Sequence, residues 1–234
     1  MSRRDALKYA AVTPALIGLV SAAESLRAPP ADADGLGVLL DYAAGVIPAD
    51  QIRAAGAVGS IRYVSDRRPG GAWMLGKPMQ INEARDLHQN GLKIVSCYQY
   101  GKEASTDWLG GQSAGVQHAT RGWQLHTAAG GPANVPIYAS IDFEQYQAKV
   151  APYLRGWESV VGHQRTGVYG NSKTIEWALH DGLGSYFWQH NWGSPGGRTH
   201  PAAHLHQVEI DKRHVGGVGV DINNICKPQF GQWA

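Results

Sequence analysis

Cysteine is nearly missing from this chain. Cys97 and Cys226 are the two in 234 residues, and two such distant thiols build no zinc site without help from histidine. They read either as a disulfide formed after export or as two buried thiols. The second reading is favoured, because Cys97 lies in an apolar, strand-like run. Concentrated positive charge is missing too: the net charge is +2 and no Lys/Arg run exceeds Arg67-Arg68, which excludes a nucleic-acid backbone as the expected partner. With 17% charged and 43% hydrophobic residues, the chain is neither a disordered tail nor a coiled coil. No long apolar stretch occurs. Residues 9–20 form an apolar run of about 12, too short to span a bilayer at 1.5 Å rise per residue.

That run belongs to an N-terminal segment with its own logic. Ser2-Arg3-Arg4-Asp5-Ala6-Leu7-Lys8 resembles the twin-arginine export motif, and Ser21, Ala22 and Ala23 offer small residues for cleavage. Residues 1–23 are therefore expected to be a signal peptide for the twin-arginine machinery, with secretion or cell-wall association as the outcome and no stable membrane span after processing. Without them, 18 basic residues face 18 acidic ones, so the basic isoelectric point belongs to the signal. Residues 24–34, containing Pro29-Pro30-Ala31-Asp32-Ala33-Asp34, read as a linker.

From residue 35 onward, short apolar runs alternate with amphipathic stretches. The runs cover 37–42, 60–65, 93–100, 136–143, 166–169, 185–191, 204–210 and 218–222, and are rich in β-branched or aromatic residues. Helical patterns fall at 48–56, 82–90, 112–129, 145–163 and 172–180, bounded by Pro, Asn, Ser and Gly signals. Eight strands alternating with helices predict a parallel sheet, and eight is the number that closes a (β/α)8 barrel. Residues 35–234 are thus expected to form one irregular TIM-like barrel of the α/β class, with reduced helices near the last strands, where Gly/Pro-rich connections replace them. A doubly wound sheet would carry a phosphate-binding glycine loop after its first strand, and Asp41-Tyr42-Ala43-Ala44-Gly45 is not one.

The sharpest chemical signal is Ile137-Tyr138-Ala139-Ser140-Ile141-Asp142-Phe143-Glu144. An Asp-x-Glu at the C-terminal end of a barrel strand stands where such enzymes keep their catalytic groups. At an effective dielectric near 20, a unit charge ~6 Å away opposes the second ionisation by about 2.8 kcal/mol, so one carboxyl can stay protonated while the other is ionised, the division of labour a glycosidase needs. Asp41 ends the first strand, and Asp221-Ile222-Asn223 ends the last; strands one and eight are neighbours in a closed barrel, so Asp41 and Asp221 are expected to converge. Tyr63, Tyr98, Tyr100, Tyr169, Trp188 and Trp192 recur at strand ends. Rings around an acidic mouth suit stacking on sugar faces, although barrel cores take aromatics as well. Arg62 reads either as a ligand for an acidic sugar substituent or as an ordinary ion-pair partner.

Taken in order, Asp41, Cys97-Tyr98-Gln99-Tyr100, Asp142-Phe143-Glu144, Gly167-Val168-Tyr169, Trp188, His206-Gln207 and Val220-Asp221-Ile222-Asn223 resemble the bacterial exported glycoside-hydrolase-like domains related to family 25 lysozymes. The resemblance implies Glu144 as general acid, Asp142 as the group that positions or polarises substrate in a neighbouring-group mechanism using an N-acetyl group, and Asp41 and Asp221 as supporting acids. It also implies that Tyr98 and Tyr169 line the pocket. Arg62, Tyr100, Trp188, Gln207, Asp221 and Asn223 complete the expected substrate-binding set. Gln99 stands where those lysozymes often carry His, and Arg62-Tyr63 also departs from them. The function implied is hydrolysis of cell-wall glycan, with a non-catalytic carbohydrate-binding barrel as the alternative. No cofactor and no metal are expected.

Two rival motifs have poor context. Gly111-Gln112-Ser113-Ala114-Gly115 matches the nucleophile elbow of α/β-hydrolases, but that motif needs a strand directly before it, and residues 105–110 are polar loop. His200, His204 and His206 are closely spaced, yet no H-E-x-x-H occurs, so they are expected to be surface histidines.

Overall fold

The computed structural model describes residues 35–142, 147–192 and 197–234. The predicted signal peptide, the linker and Glu144 lie outside the described residues. The strands are β1 (Val38–Asp41), β2 (Gly59–Tyr63), β3 (Lys93–Tyr98), β4 (Ile137–Ser140), β5 (Thr166–Gly170), β6 (Tyr186–His190), β7 (Leu205–Val215) and β8 (Val218–Ile225). They close into a barrel in sequence order, β8 returning to β1. The helices are α1 (Ala49–Ala54), α2 (Ile81–Gln89), α3 (Gly111–Ala128), α4 (Gln147–Val161) and α5 (Ser172–His180), one after each of the first five strands.

The sheet is mixed rather than wholly parallel, a correction to the expectation from alternation. Strands β1 to β7 run parallel, and β8 is antiparallel to both β7 and β1. The cause is local. Gly216 and Gly217 have φ of 59° and 78°, and with Val215 paired to Val218 they make a two-residue hairpin of the kind that requires positive φ at both positions. A hairpin reverses the chain where a helical crossover would not.

Alternation along the strands builds two cores. Leu39, Ile61, Val95, Cys97, Tyr138, Tyr169, Trp188, Leu205 and Ile225 fill the barrel lumen. Their neighbours, including Leu40, Ile94, Tyr98, Ala139, Val168 and Phe187, pack outward against the helices. Inside, Gly167 makes room for the Tyr138 ring, since a Cβ there would lie 2.6 Å from its Cγ. The C-terminal segment closes the far end of the barrel: Phe230 joins the lumen residues and its carbonyl accepts from Tyr138 Oη at 2.9 Å, while Trp233 bridges to Ile94 and donates from Nε1 to Ser96 Oγ at 3.1 Å on the outer face, edge-on to His126 of α3. Hydrophobic filling therefore stops the barrel being a pore and leaves its opposite end for polar groups.

Candidate active site at the barrel mouth

At the C-terminal ends of β1 to β7 the inward-facing positions turn polar and surround a cavity of about 620 Å3. Asp41 and Asp221 are cross-strand partners, so their Cα atoms are about 4.5–5.5 Å apart. Asp221 occupies this level because the β7–β8 hairpin projects beyond the mouth and β8 re-enters from it. Asp41 is 3% exposed. Its Oδ2 accepts from Tyr63 Oη at 3.2 Å, and Oδ1 has no hydrogen-bond partner among the described residues. Burial, then the charge of Asp221, pushes the Asp41 carboxyl up to about 7. Burial likewise raises Asp221 to about 6, opposed by the backbone N–H of Asp211. Near neutral pH this pair carries less than its full charge, which water would not allow.

A hydrogen-bonded relay continues from Asp221. Gln207 Nε2 donates to Asp221 Oδ2 at 2.8 Å, and Tyr169 Oη donates to Gln207 Oε1 at 2.7 Å. The Tyr169 ring packs on Trp188 with centroids 4.1 Å apart, and Trp188 Nε1 donates to Asn223 Oδ1 at 2.8 Å. On the β3–β4 side, Gln99 Nε2 donates to Asp142 Oδ2 at 3.0 Å, while the Asp142 carbonyl accepts from Trp108 Nε1 at 2.8 Å and Thr106 Oγ1 at 3.2 Å. Backbone and side chain of Asp142 are thus both fixed two residues past β4. Among the described residues no group of three His, Cys, Asp or Glu is placed to hold a metal ion.

A family model described as Rv2525c-like, glycoside hydrolase-like domain matches residues 50–225. The chain belongs to this family. It is 76% identical over its whole length to a Mycobacterium tuberculosis protein named "Putative peptidoglycan hydrolase Rv2525c", covering 99% of that protein. A crystal structure of the M. tuberculosis Tat-secreted protein Rv2525c in complex with L-tartrate superposes with a TM-score of 0.84 at 78% identity, covering 85% of this chain and 100% of that one. A glycosyl hydrolase 25 of Streptococcus pneumoniae superposes with a TM-score of 0.55 at 15% identity, over 82% of this chain and 87% of the other, which shows a shared fold.

In this Rv2525c-like domain the cavity gathers Asp41, Asp142, Tyr169, Trp188, Gln207 and Asp221 from the sequence-derived set. Four others stand elsewhere. Arg62 is fully buried on the outward face of β2. Its Nε donates to Glu83 at 2.6 Å, Nη2 donates to Gly76 O at 2.8 Å, Nη1 donates to Tyr42 O, and the guanidinium lies over the Tyr42 ring. Of the two readings of Arg62, the structure holds the ion pair. Tyr98 faces the helices, its Oη hydrogen-bonded to His118 Nδ1 at 2.8 Å and its ring edge-on to Trp157. Tyr100 sits beside His118 and fixes Asp107 through its backbone N–H. Asn223 is buried beneath the cavity as the acceptor for Trp188. Strand parity explains Arg62, Tyr98 and Tyr100: Arg62 and Tyr98 each follow a lumen residue, Ile61 and Cys97, by one position, Tyr100 keeps the parity of Tyr98, and a one-residue step turns a side chain to the other face. Asn223 shares the inward parity of Asp221 and lies deeper, against Trp188.

The same parity marks Tyr63 and Gln99, which line the cavity and had been read only as a strand-end aromatic and a departure from the lysozymes. Lys77, Arg68 and Trp73 on the β2–α2 loop and Asp211 in β7 line it as well; no spacing rule assigns loop residues to a mouth. Ser113 is exposed in the first turn of α3, its Oγ donating to Gly110 O, and is preceded by a 3-10 turn rather than a strand, so the nucleophile-elbow geometry is absent. His206, expected at the surface, is 5% exposed and holds Thr199 and Asn191. Cys97, buried in the cavity wall, and Cys226 are not joined by a disulfide.

Proposed function

We propose that this chain is an exported glycoside hydrolase that cleaves cell-wall glycan, peptidoglycan or a related polysaccharide, by carboxylate chemistry at the barrel mouth. The observation that carries this reading is the meeting of Asp41, Asp142 and Asp221, from three separate parts of the chain, around one cavity walled by Tyr169 and Trp188. The name of the 76%-identical relative, and the description of its structure as Tat-secreted, support the substrate class and the export route suggested by Arg3-Arg4.

Glu144, two residues after Asp142 in sequence, is the general acid of this mechanism. It gives its proton to the glycosidic oxygen as the anomeric C–O bond breaks. The carbonyl oxygen of the substrate's N-acetyl group closes on the anomeric carbon, and Asp142, oriented by Gln99, stabilises the positive charge on that ring and takes its N–H as a hydrogen bond. Glu144, now ionised, removes a proton from the water that opens the ring. The buried pair Asp41–Asp221, with Tyr63 and Gln207, supplies fixed hydrogen-bond partners for sugar hydroxyls at little electrostatic cost.

Incubation of the protein with peptidoglycan and other wall polysaccharides, read as new reducing ends, tests the reading. Glu144→Gln is expected to lower turnover at least ~100-fold with the melting temperature unchanged. Binding of glycan without new reducing ends in the wild type leaves the non-catalytic barrel instead.

A further inference from the structure

The mouth sets cations between acids, with Asp142 beyond β4 and Lys102 beyond β3 also in its lining. Asp41, Asp211 and Asp221 come from β1, β7 and β8, whereas Arg68 and Lys77 lie together on the loop between β2 and α2. Lys77 is 3% exposed. Its Nζ donates to Gln99 O at 2.8 Å and sits 3.7 Å from the centre of the Tyr63 ring. It forms no ion pair among the described residues. Three N–H donors thus meet one acceptor and one ring face. Arg68, half-buried, has the Trp73 ring 5.7 Å away and, among the described residues, spends none of its five side-chain donors on a protein acceptor. A single bond to a backbone carbonyl does not require a buried charge, because a neutral donor would make it without the desolvation cost.

From this geometry we infer that Lys77 and Arg68 form a subsite for a free carboxylate carried by a sugar residue of the glycan, which makes them specificity-determining residues. The subsite rests on the glycan reading above. A carboxylate there supplies the acceptors both cations lack, and a charge-assisted bond in a partly dry cavity is stronger than a neutral one. Burial lowers the Lys77 ammonium to about 8, so it is still charged at neutral pH. The opposing repulsion is reduced, because burial keeps Asp41 and Asp221 from full ionisation there. Two kinds of glycan carry the required group: muramyl residues whose lactyl carboxylate is not amide-linked to peptide, and hexuronate residues. If muramyl residues are the source, a reaction that cleaves the peptide from the lactyl group must precede this enzyme.

Calorimetric titration of the full chain with N-acetylmuramic acid against N-acetylglucosamine, and with glucuronic acid against glucose, tests the subsite. The wild type is expected to bind at least one acid about tenfold or more tighter than its neutral counterpart. Lys77→Met is expected to bring that ratio close to one, and Lys77→Arg to restore most of it, with melting curves confirming the fold. Arg68→Gln has no side-chain hydrogen bond to lose among the described residues and lowers the ratio independently should Lys77→Met fail to fold. Preference for the muramyl acid alone or for the uronic acid alone identifies the source. A wild-type ratio near one, or a ratio unchanged in both neutral variants, overturns the proposal. Reducing-end release is scored separately: an acid preference without turnover refutes the hydrolase alone, and turnover without acid preference refutes the subsite alone.

Discussion

Asp41 shows how a buried carboxyl works against stability. Its carboxyl is held near 7 in the fold by burial and by Asp221, against about 3.9 in an unfolded chain. The sign is therefore opposite to that of a salt-bridged aspartate. Below about pH 4 both states hold the proton and nothing is lost. Between about 4 and 7 the unfolded chain releases it while the folded chain keeps it, so stability falls as pH rises through that window and is lowest above it. Asp41→Asn keeps an acceptor for Tyr63 and never ionises. Its melting temperature should exceed that of the wild type by several degrees at pH 7.5, at about 2–4 °C per kcal/mol for a chain of this size, and the gap should close near pH 4. A less stable variant at pH 7.5 would show that the charged form is the one the fold favours. At this scale the sequence was partly legible. The identities of the acids, Tyr169 and Trp188 were readable because they end or interrupt apolar runs. Arg62, Tyr98 and Tyr100 were misassigned because the period of two was not followed through to their positions.

Among the elements, α3 and α4 are held backbone to backbone by two glycines. A Cβ on Gly115 would stand 2.1 Å from Tyr153 O, and one on Gly156 would stand 2.1 Å from Gln112 O. That approach presses Trp157 against the Tyr98 ring, and Tyr98 belongs to β3, whose C-terminal extension carries Gln99. Gly156→Ala must push the helices apart or bend them, at a cost of about 1–3 kcal/mol as for other overpacked sites. Chemical denaturation should show the loss in midpoint, with the slope unchanged. The strands and helices themselves were readable from periodicity, and their observed bounds fall mostly within a few residues of the expected ones. The hairpin between β7 and β8 was present in the sequence as Gly216-Gly217, yet alternation suggested a parallel strand. Two-residue reversal depends on backbone dihedrals that composition only hints at.

On the scale of the whole molecule, the lumen is stoppered at one end and opens into the polar cavity at the other. Trp233 packs beside the stoppered end, on the outer face of the barrel against Ile94, Ser96 and His126, and is 8% exposed. Trp233→Ala should cost about 3–5 kcal/mol, as large aromatic truncations do, while reducing-end release measured well below the new melting point stays at the wild-type rate. A rate that falls in step with stability at low temperature would mean that the two ends are coupled.

The amino-acid sequence by itself determined the alternation of strands and helices, the count of eight, and the acids available for chemistry, because periodicity and strand-end composition are local properties of the chain. The count of eight already implied that Asp41 and Asp221 converge; only the tertiary structure decided that β8 runs backwards, which sets the two directly opposite each other, and that a loop lysine comes to rest in the same cavity. Those facts depend on barrel closure, which brings residues some 180 positions apart in the chain within a few ångströms of each other, and no short-range pattern encodes that distance.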